Sequence, residues 1–366
     1  ALPPEHGGGE ATVIAWLWAR TVTCPNPACG AEMPLVRSFW LSKKKGKQAW
    51  VELVVDKAAK TVRFEVRTGT GVPQEGTVER RGARCLVCGS PVPFEHVRAE
   101  GRAGRMGARL MAIVAEGTRG RVYLPPSEEH VRIAESAEPA WRPDTALPEQ
   151  ALGFRVQAYG MTKHADLFTP RQLVALTTFS DLVGEARTRV LADAIAAGMP
   201  DDGVGLEAGG TGATAYADAV ATYLGFLVDK LADLGNSLNR WEPVAQCPRQ
   251  LFARQAIPMV WDFAEGNPLG TSSGSWAVLL ENLMRSFGSP LLQHRALLPG
   301  YARQLDATAA IDGVDRPLIS TDPPYYDNIG YADLADFFYV WLRRSLGSAY
   351  PQLMSTLLVP KSQELV

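Results

Sequence analysis

Pro317-Leu318-Ile319-Ser320-Thr321-Asp322-Pro323-Pro324-Tyr325 is the stretch on which the reading of the whole chain turns. The run from Pro317 to Thr321 predicts a short buried strand. Asp322 then falls at the carboxyl end of that strand, the edge at which open α/β sheets bind ligands. Two consecutive prolines keep the backbone extended and its carbonyls free of local hydrogen bonds. The Asp322 carboxylate and the Pro323 carbonyl can therefore both accept from one amino group. An amine on an aromatic ring is a poor nucleophile, because its lone pair is delocalised. Accepting both of its hydrogens favours a more tetrahedral nitrogen whose lone pair can attack a methyl sulfonium, a matter of preorganised dipoles and alignment. Pro324 stiffens the turn, and Tyr325 offers a flat surface for a base taken out of its duplex. Tyr326 and Asn328 extend that wall. Asp-Pro-Pro is also a sound turn, so the tetrapeptide alone leaves a loop open as a reading.

Outward from this point the chain reads as helices behind and strands in front. Tyr331 to Leu346 follows a turn at Gly330 as an amphipathic helix. Trp276 to Phe287 is another. Thr169-Pro170 supplies an N-cap and a first-turn proline for a helix that runs to Ala197, where Gly198 and Pro200 stop it. Tyr216 to Leu234 carries Val220, Tyr223, Leu224, Leu227, Val228 and Leu231 on one face. Val13 to Val22 predicts a strand, and so do Trp50 to Val55, Thr61 to Val66, Leu110 to Glu116 and Gly120 to Leu124. Ser127 to Pro148 reads as a connector that opens with a short helix.

Four of the five cysteines form two close pairs, Cys24-Pro25-Asn26-Pro27-Ala28-Cys29-Gly30 and Cys85-Leu86-Val87-Cys88-Gly89. Two such pairs flanking a β-rich stretch are the makings of a zinc ribbon with four thiolate ligands. Such a site is structural, since no coordination position is left for a substrate. Disulfides or core thiols are the other readings. Between the pairs, Lys43, Lys44, Lys45 and Lys47 crowd one hairpin tip that can lie along phosphates or simply be solvated. Arg80, Arg81, Arg84, Arg102, Arg105 and Arg109 flank or follow the second pair. Cys247 stands alone, and the five dispersed histidines show neither catalytic nor metal-binding spacing.

The net charge of −2 excludes a polycation, so nucleic-acid contact has to be local. No apolar run is long enough to span a bilayer, and no signal pattern opens the chain, so a cytoplasmic protein is expected, with no membrane partner. A start at Ala1 and a stop at Val366 just after an apolar segment read as a piece of a longer protein.

Asp322-Pro323-Pro324-Tyr325-Tyr326-Asp327-Asn328-Ile329-Gly330-Tyr331, with Asp336-Phe337-Phe338-Tyr339-Val340-Trp341-Leu342 after it, resembles the adenine-specific DNA methyltransferases. The similarity is closer to large methylases that carry a Cys-rich zinc insert, some encoded beside phage-defence genes. Ala15 to Val22, Asp166 to Leu173, and Phe252 to Gln255 with Trp261 to Glu265 carry the resemblance along nearly the whole chain. It implies an α/β (α+β overall) fold: a partial Rossmann-like methyltransferase sheet with a β-rich zinc-ribbon insert and a helical region. Residues 1–22 would be a methyltransferase-side strand, 23–125 the insert, 126–168 the connector, 169–300 mainly helical, and 301–366 the catalytic strand and helix. DNA is the implied substrate, S-adenosylmethionine the donor, Zn²⁺ a structural ion, and defence-system proteins the expected partners. The alternative is a non-catalytic zinc-ribbon nucleic-acid-binding module of a defence system.

One departure matters. The family's Phe-x-Gly-x-Gly cofactor loop does not follow any strand here. Gly203-Val204-Gly205 with Gly209, Gly210 and Gly212 is the nearest candidate, but it lies between two helices and reads as a connector. The cofactor loop is therefore expected outside this chain. Arg171 reads as a helix-start charge or a phosphate contact. Asp262, Glu265 and Asn267 read as pocket hydrogen-bond groups or as caps.

Overall fold

The computed structural model describes residues 2–3, 7–118, 120–288, 306, 318–323 and 328–363. Val13–Thr23 (β1) is apolar or aromatic at most positions and is buried along nearly its whole length. The chain continues through Glu32–Leu35 (β2), Trp40–Ser42 (β3), Ala49–Asp56 (β4), Thr61–Thr68 (β5), Val78–Glu79 (β6), Gly82–Arg84 (β7) and Pro91–Pro93 (β8). Phe94–Arg102 (α1) leads into Gly107–Gly117 (β9), Gly120–Leu124 (β10) and Glu128–Glu135 (α2). Two long helices follow, Pro170–Ala196 (α3) and Ala213–Leu234 (α4). Trp241–Glu242 (β11), Cys247–Pro248 (β12) and Asp262–Gly266 (β13) precede Trp276–Phe287 (α5) and Tyr331–Leu346 (α6).

The main sheet runs β10-β9-β1-β13, with β2 also on β1. One edge of β1 carries β9, from Val13 opposite Ala115 to Thr21 opposite Gly107. The other edge is shared end to end. β13 takes Ala15 to Ala19, and β2 takes Arg20 to Thr23. Every strand pair among the described residues is antiparallel, so the architecture is α+β, with six α-helices. The strand expected before Asp322 is not there: Leu318 to Pro323 has no regular structure, and Leu318 is 99% exposed. Leu318 and Ile319 are only two aliphatic side chains in succession, and no described strand pairs with them.

The helices pack separately. α3, α4 and α6 pack against one another, with α5 against α4. Thr169 closes a capping box on α3: its hydroxyl accepts from Gln172 N, and Gln172 Oε1 accepts from Thr169 N at 2.8 Å. Helix α6 is anchored by two aromatic side chains. Phe337 and Trp341 are fully buried, with Phe168 stacked 5.6 Å from Phe337 and edge-on 5.4 Å from Trp341. The two halves are tied together by Arg20. Its guanidinium, buried within β1, donates to Val260 O at 2.9 Å and to Ser237 O at 2.9 Å.

Truncating a fully buried aromatic leaves a cavity as well as lost burial. Phe337→Ala should cost about 3–5 kcal/mol in urea-induced unfolding followed by far-UV circular dichroism. A loss under 1 kcal/mol would show that α6 is not part of the helical core.

Candidate functional site

The cysteines are brought together by two tight turns. Cys24 and Cys29 sit between β1 and β2, and Cys85 and Cys88 between β7 and β8. In the first turn Cys29 N and Gly30 N both donate to Asn26 O, at 2.9 and 3.0 Å. In the second, Gly89 N donates to Cys85 O at 2.8 Å and Cys85 N to Ser90 O at 3.0 Å. Gly30 and Gly89 have φ of 61° and 75°, a left-handed backbone that explains a glycine after each pair.

Cys24 Sγ lies 3.7 Å from Cys88 Sγ, and Cys29 Sγ lies 3.9 Å from Cys85 Sγ. All four sulfurs fall within 4.8 Å of one another. Four thiolates at about 2.3 Å around tetrahedral zinc would be about 3.8 Å apart, whereas a disulfide needs about 2.05 Å. The donor set therefore fits a zinc-type ion and not a crosslink, and all five cysteines are free.

The thiols differ in readiness. Burial pushes Cys24 up to about 12 and also raises Cys85. The Ser90 hydroxyl, 3.3 Å from Cys88 Sγ, is the main cause that draws the exposed Cys88 down to about 6. Cys88 is thus the thiol that loses its proton most readily, while Cys24 and Cys85 would give up theirs to an incoming cation. Ser90 in turn accepts from Asn26 Nδ2 at 3.2 Å, which joins the two turns. Neither Asn26 nor Ser90 was singled out in the sequence. Their places inside and just after the Cys pairs are the signal that could have found them.

Lys43, Lys44 and Lys45 do sit at an exposed hairpin tip, between β3 and β4, but not beside the cysteines. Lys43 N donates to Pro243 O, and Gln246 Nε2 bridges Ser42 Oγ and Tyr123 Oη at 2.8 Å each. Tyr123 lies opposite Val114, which lies opposite Ala15, near the start of β1. The cysteines are at its far end, on the order of 25 Å away at 3.3 Å per residue. Around the cysteines, Arg84, Arg105 and Arg109 are paired with Glu79, Glu100 and Glu32, while Arg80, Arg81 and Arg102 are exposed.

Asp322 and Pro323 are exposed, and Asn328 stands exposed three residues before α6. Pro324, Tyr325 and Tyr326 lie outside the described residues. The glycine-rich loop from Gly203 to Gly212 does not fit a cofactor. Its amides are already engaged: Val204 N and Thr211 N donate to Asp202, and Leu206 N donates to Asp218.

Arg171 is neither solvated nor a free phosphate contact. It forms two hydrogen bonds to Glu265, at 3.0 and 2.7 Å, and its guanidinium lies 4.5 Å above the Trp18 ring. Trp18, Arg171 and Glu265, from three distant stretches, thereby meet along one mostly apolar cleft of about 370 Å³. Asn267 closes a local turn by accepting from Leu269 N and ties it to β1 by donating to Val13 O. Asp262 Oδ1 accepts from Arg37 N at 2.8 Å, and burial pushes its carboxyl up to about 7.

Comparison with protein-family models, curated proteins and solved structures returned no match. The geometry defines an α+β protein with a four-cysteine centre able to hold a metal such as zinc. No helix among the described residues is long and apolar enough to cross a membrane.

Elemental analysis should give about one zinc per chain, lost in Cys85→Ser/Cys88→Ser. Cys88 titrates below its ordinary value, so its contribution is full above the unfolded value and lost as pH falls through about 6. Zinc retention should fall in the same direction, and a metal-free, fully folded chain at pH 7.5 would rule the centre out.

Asp262 carries the opposite sign. Between the ordinary carboxyl range and about 7 the folded chain holds a proton that the unfolded chain has lost, so stability falls as pH rises through that window. Asp262→Asn should raise the melting temperature at pH 8, with the gain vanishing towards pH 4. An equal gain at both values would refute the assignment.

Proposed function

We propose that this chain belongs to an enzyme that methylates the exocyclic amine of adenine in DNA, and that it supplies the amine-gripping residues together with a zinc-stapled, DNA-contacting unit. The observation that carries this reading is the order of residues Asp322-Pro323-Pro324-Tyr325, followed after a short stretch by α6. Phe337 and Trp341 anchor α6, the helix that follows the tetrapeptide in sequence, in the helical core.

In this reading the Asp322 carboxylate and the Pro323 carbonyl accept the two amine hydrogens, and Tyr325 stacks on the extruded base. S-adenosylmethionine would supply the methyl group. No residue of this chain is assigned to hold it, because the glycine-rich loop is already occupied by its own carboxylates. Leu318 to Asp322 would become a strand of a parallel Rossmann-like sheet when paired with the rest of that catalytic unit. The four-cysteine centre would fix the β-rich unit that meets DNA.

A second reading is a zinc-stapled nucleic-acid-binding module without methyl transfer. The exposed, unpaired Leu318 to Pro323 segment and the wholly antiparallel described sheets favour it. The two separate in one assay: N6-methyladenine measured by mass spectrometry after incubating the full-length protein that carries this chain with DNA and S-adenosylmethionine. Asp322→Ala should lower the product by about 100-fold or more, the usual scale for losing a preorganised polar group. Transfer that survives the substitution would sink the first reading. DNA binding with no transfer by the unsubstituted protein would favour the second.

A further inference from the structure

The hairpin that carries the lysines also carries two tryptophans that the metal centre and Asp322 leave unused. Trp40 on β3 lies directly opposite Trp50 on β4, and Trp50 lies directly opposite Arg67 on β5. Residues opposite one another share a face of the sheet, so Trp40, Trp50 and Arg67 form one row across three strands. Leu41, Val51 and Val66 turn the other way or sit deeper, with Leu41 and Val51 in the core. The tryptophan rings stand 6.2 Å apart at 68°, and both residues are only half-buried. Lys43 Nζ sits 5.7 Å above the Trp40 ring.

Arg67 is held by Glu52 and Glu65 and is therefore compensated. The lysines of the turn are what give the face its sign. Residues 40–68 hold eight lysines and arginines against three carboxylates, in a chain whose net charge is −2. Bonds between the hairpin and the 241–246 segment seat the turn: Lys43 N donates to Pro243 O, and Trp241 Nε1 donates to Leu41 O at 2.8 Å. Two neighbouring indoles beside a lysine-bearing turn fit an unpaired polynucleotide. The rings offer a π-face to any base, and the ammonium groups follow the phosphates.

We propose that this face binds single-stranded DNA, with Trp40 and Trp50 stacking on bases and Lys43, Lys44 and Lys45 lying along the backbone. The four-cysteine centre then anchors the β-rich unit from a distance and does not itself touch DNA. This rests on the reading of DNA as the substrate, but it is tested without any methyl donor. Trp40 is the ring to test, since the Gly71 backbone packs against Trp50 whereas the group over Trp40 is the exposed Lys43 side chain, which can turn to a phosphate.

The experiment is fluorescence anisotropy of a dye-labelled 12-mer of thymidylates, and of a duplex of equal length, titrated with the chain over a range of salt. The single strand should bind more tightly than the duplex. Trp40→Ala should weaken it roughly tenfold or more, and Trp40→Phe should retain most of the affinity. Replacing Lys43, Lys44 and Lys45 with Ser should lower the slope of log K against log salt by roughly 2. Since that variant lies in an exposed turn, it keeps the test open if Trp40→Ala fails to fold, which zinc content and melting temperature will reveal. Equal binding by Trp40→Ala, an unchanged salt slope, or preference for duplex would each overturn the proposal. A protein that methylates DNA yet binds normally as Trp40→Ala refutes this face alone. One that binds through Trp40 but transfers no methyl refutes the catalytic reading alone.

Discussion

The pairing of β1 is the constraint on which the rest of the molecule depends. Its one edge is committed to β9, and its other edge is divided between β13 and β2. Because β1 and the nearby β2 meet strands from two distant parts of the sequence there, the positions of later features follow from that register. A slip of one residue would reverse the faces and move the Cys24 turn away from its partner. Arg20 then carries the constraint across to the helices through Val260 and Ser237. A guanidinium held at that depth draws its carbonyl partners from the segments after α4 and before β13, so the helical half is docked to the sheet at a defined place.

The four-cysteine centre depends on the same strand. Cys24 directly follows β1, and Cys29 is fixed by the turn into β2. The second pair arrives on β7 and β8, a small sheet with no strand in common with the main one. A metal at this point would add a further link between two sheets that Asn26 Nδ2 to Ser90 Oγ and Thr77 Oγ1 to Pro34 O already join. It would also bring neutralising charge to Cys24 and Cys85, whose burial otherwise keeps them protonated.

Features determined by neighbouring residues were legible in the sequence. Helices α5 and α6 and strand β10 occupy the ranges their patterns predict, and α3 begins at Thr169-Pro170 and stops before Gly198. Helix α4 starts at Ala213, three residues early, because Ala213 to Ala215 carry no apolar period. The two Cys-Gly turns were equally local. What could not be read was set by partners far along the chain. Arg171 looked like a helix-start charge until Glu265 and Trp18 closed around it. The lysine tip lies between the two Cys pairs in sequence, but its strand leads it to the opposite end of the sheet. Leu318 to Thr321 has the composition of a strand, yet a strand exists only where another lies beside it, and none of the described ones does.

The shared edge of β1 has a consequence for synthesis. Ala15 to Ala19 must wait for Asp262 to Gly266, about 250 residues later, before their outer hydrogen bonds are made. At roughly 5–20 residues per second a ribosome needs about 12 to 50 s to cover that distance. During that time the nascent chain carries an open, tryptophan-bearing strand edge, the kind of surface that pairs with another chain. Until then, residues 15–19 keep one edge open to pairing with another chain.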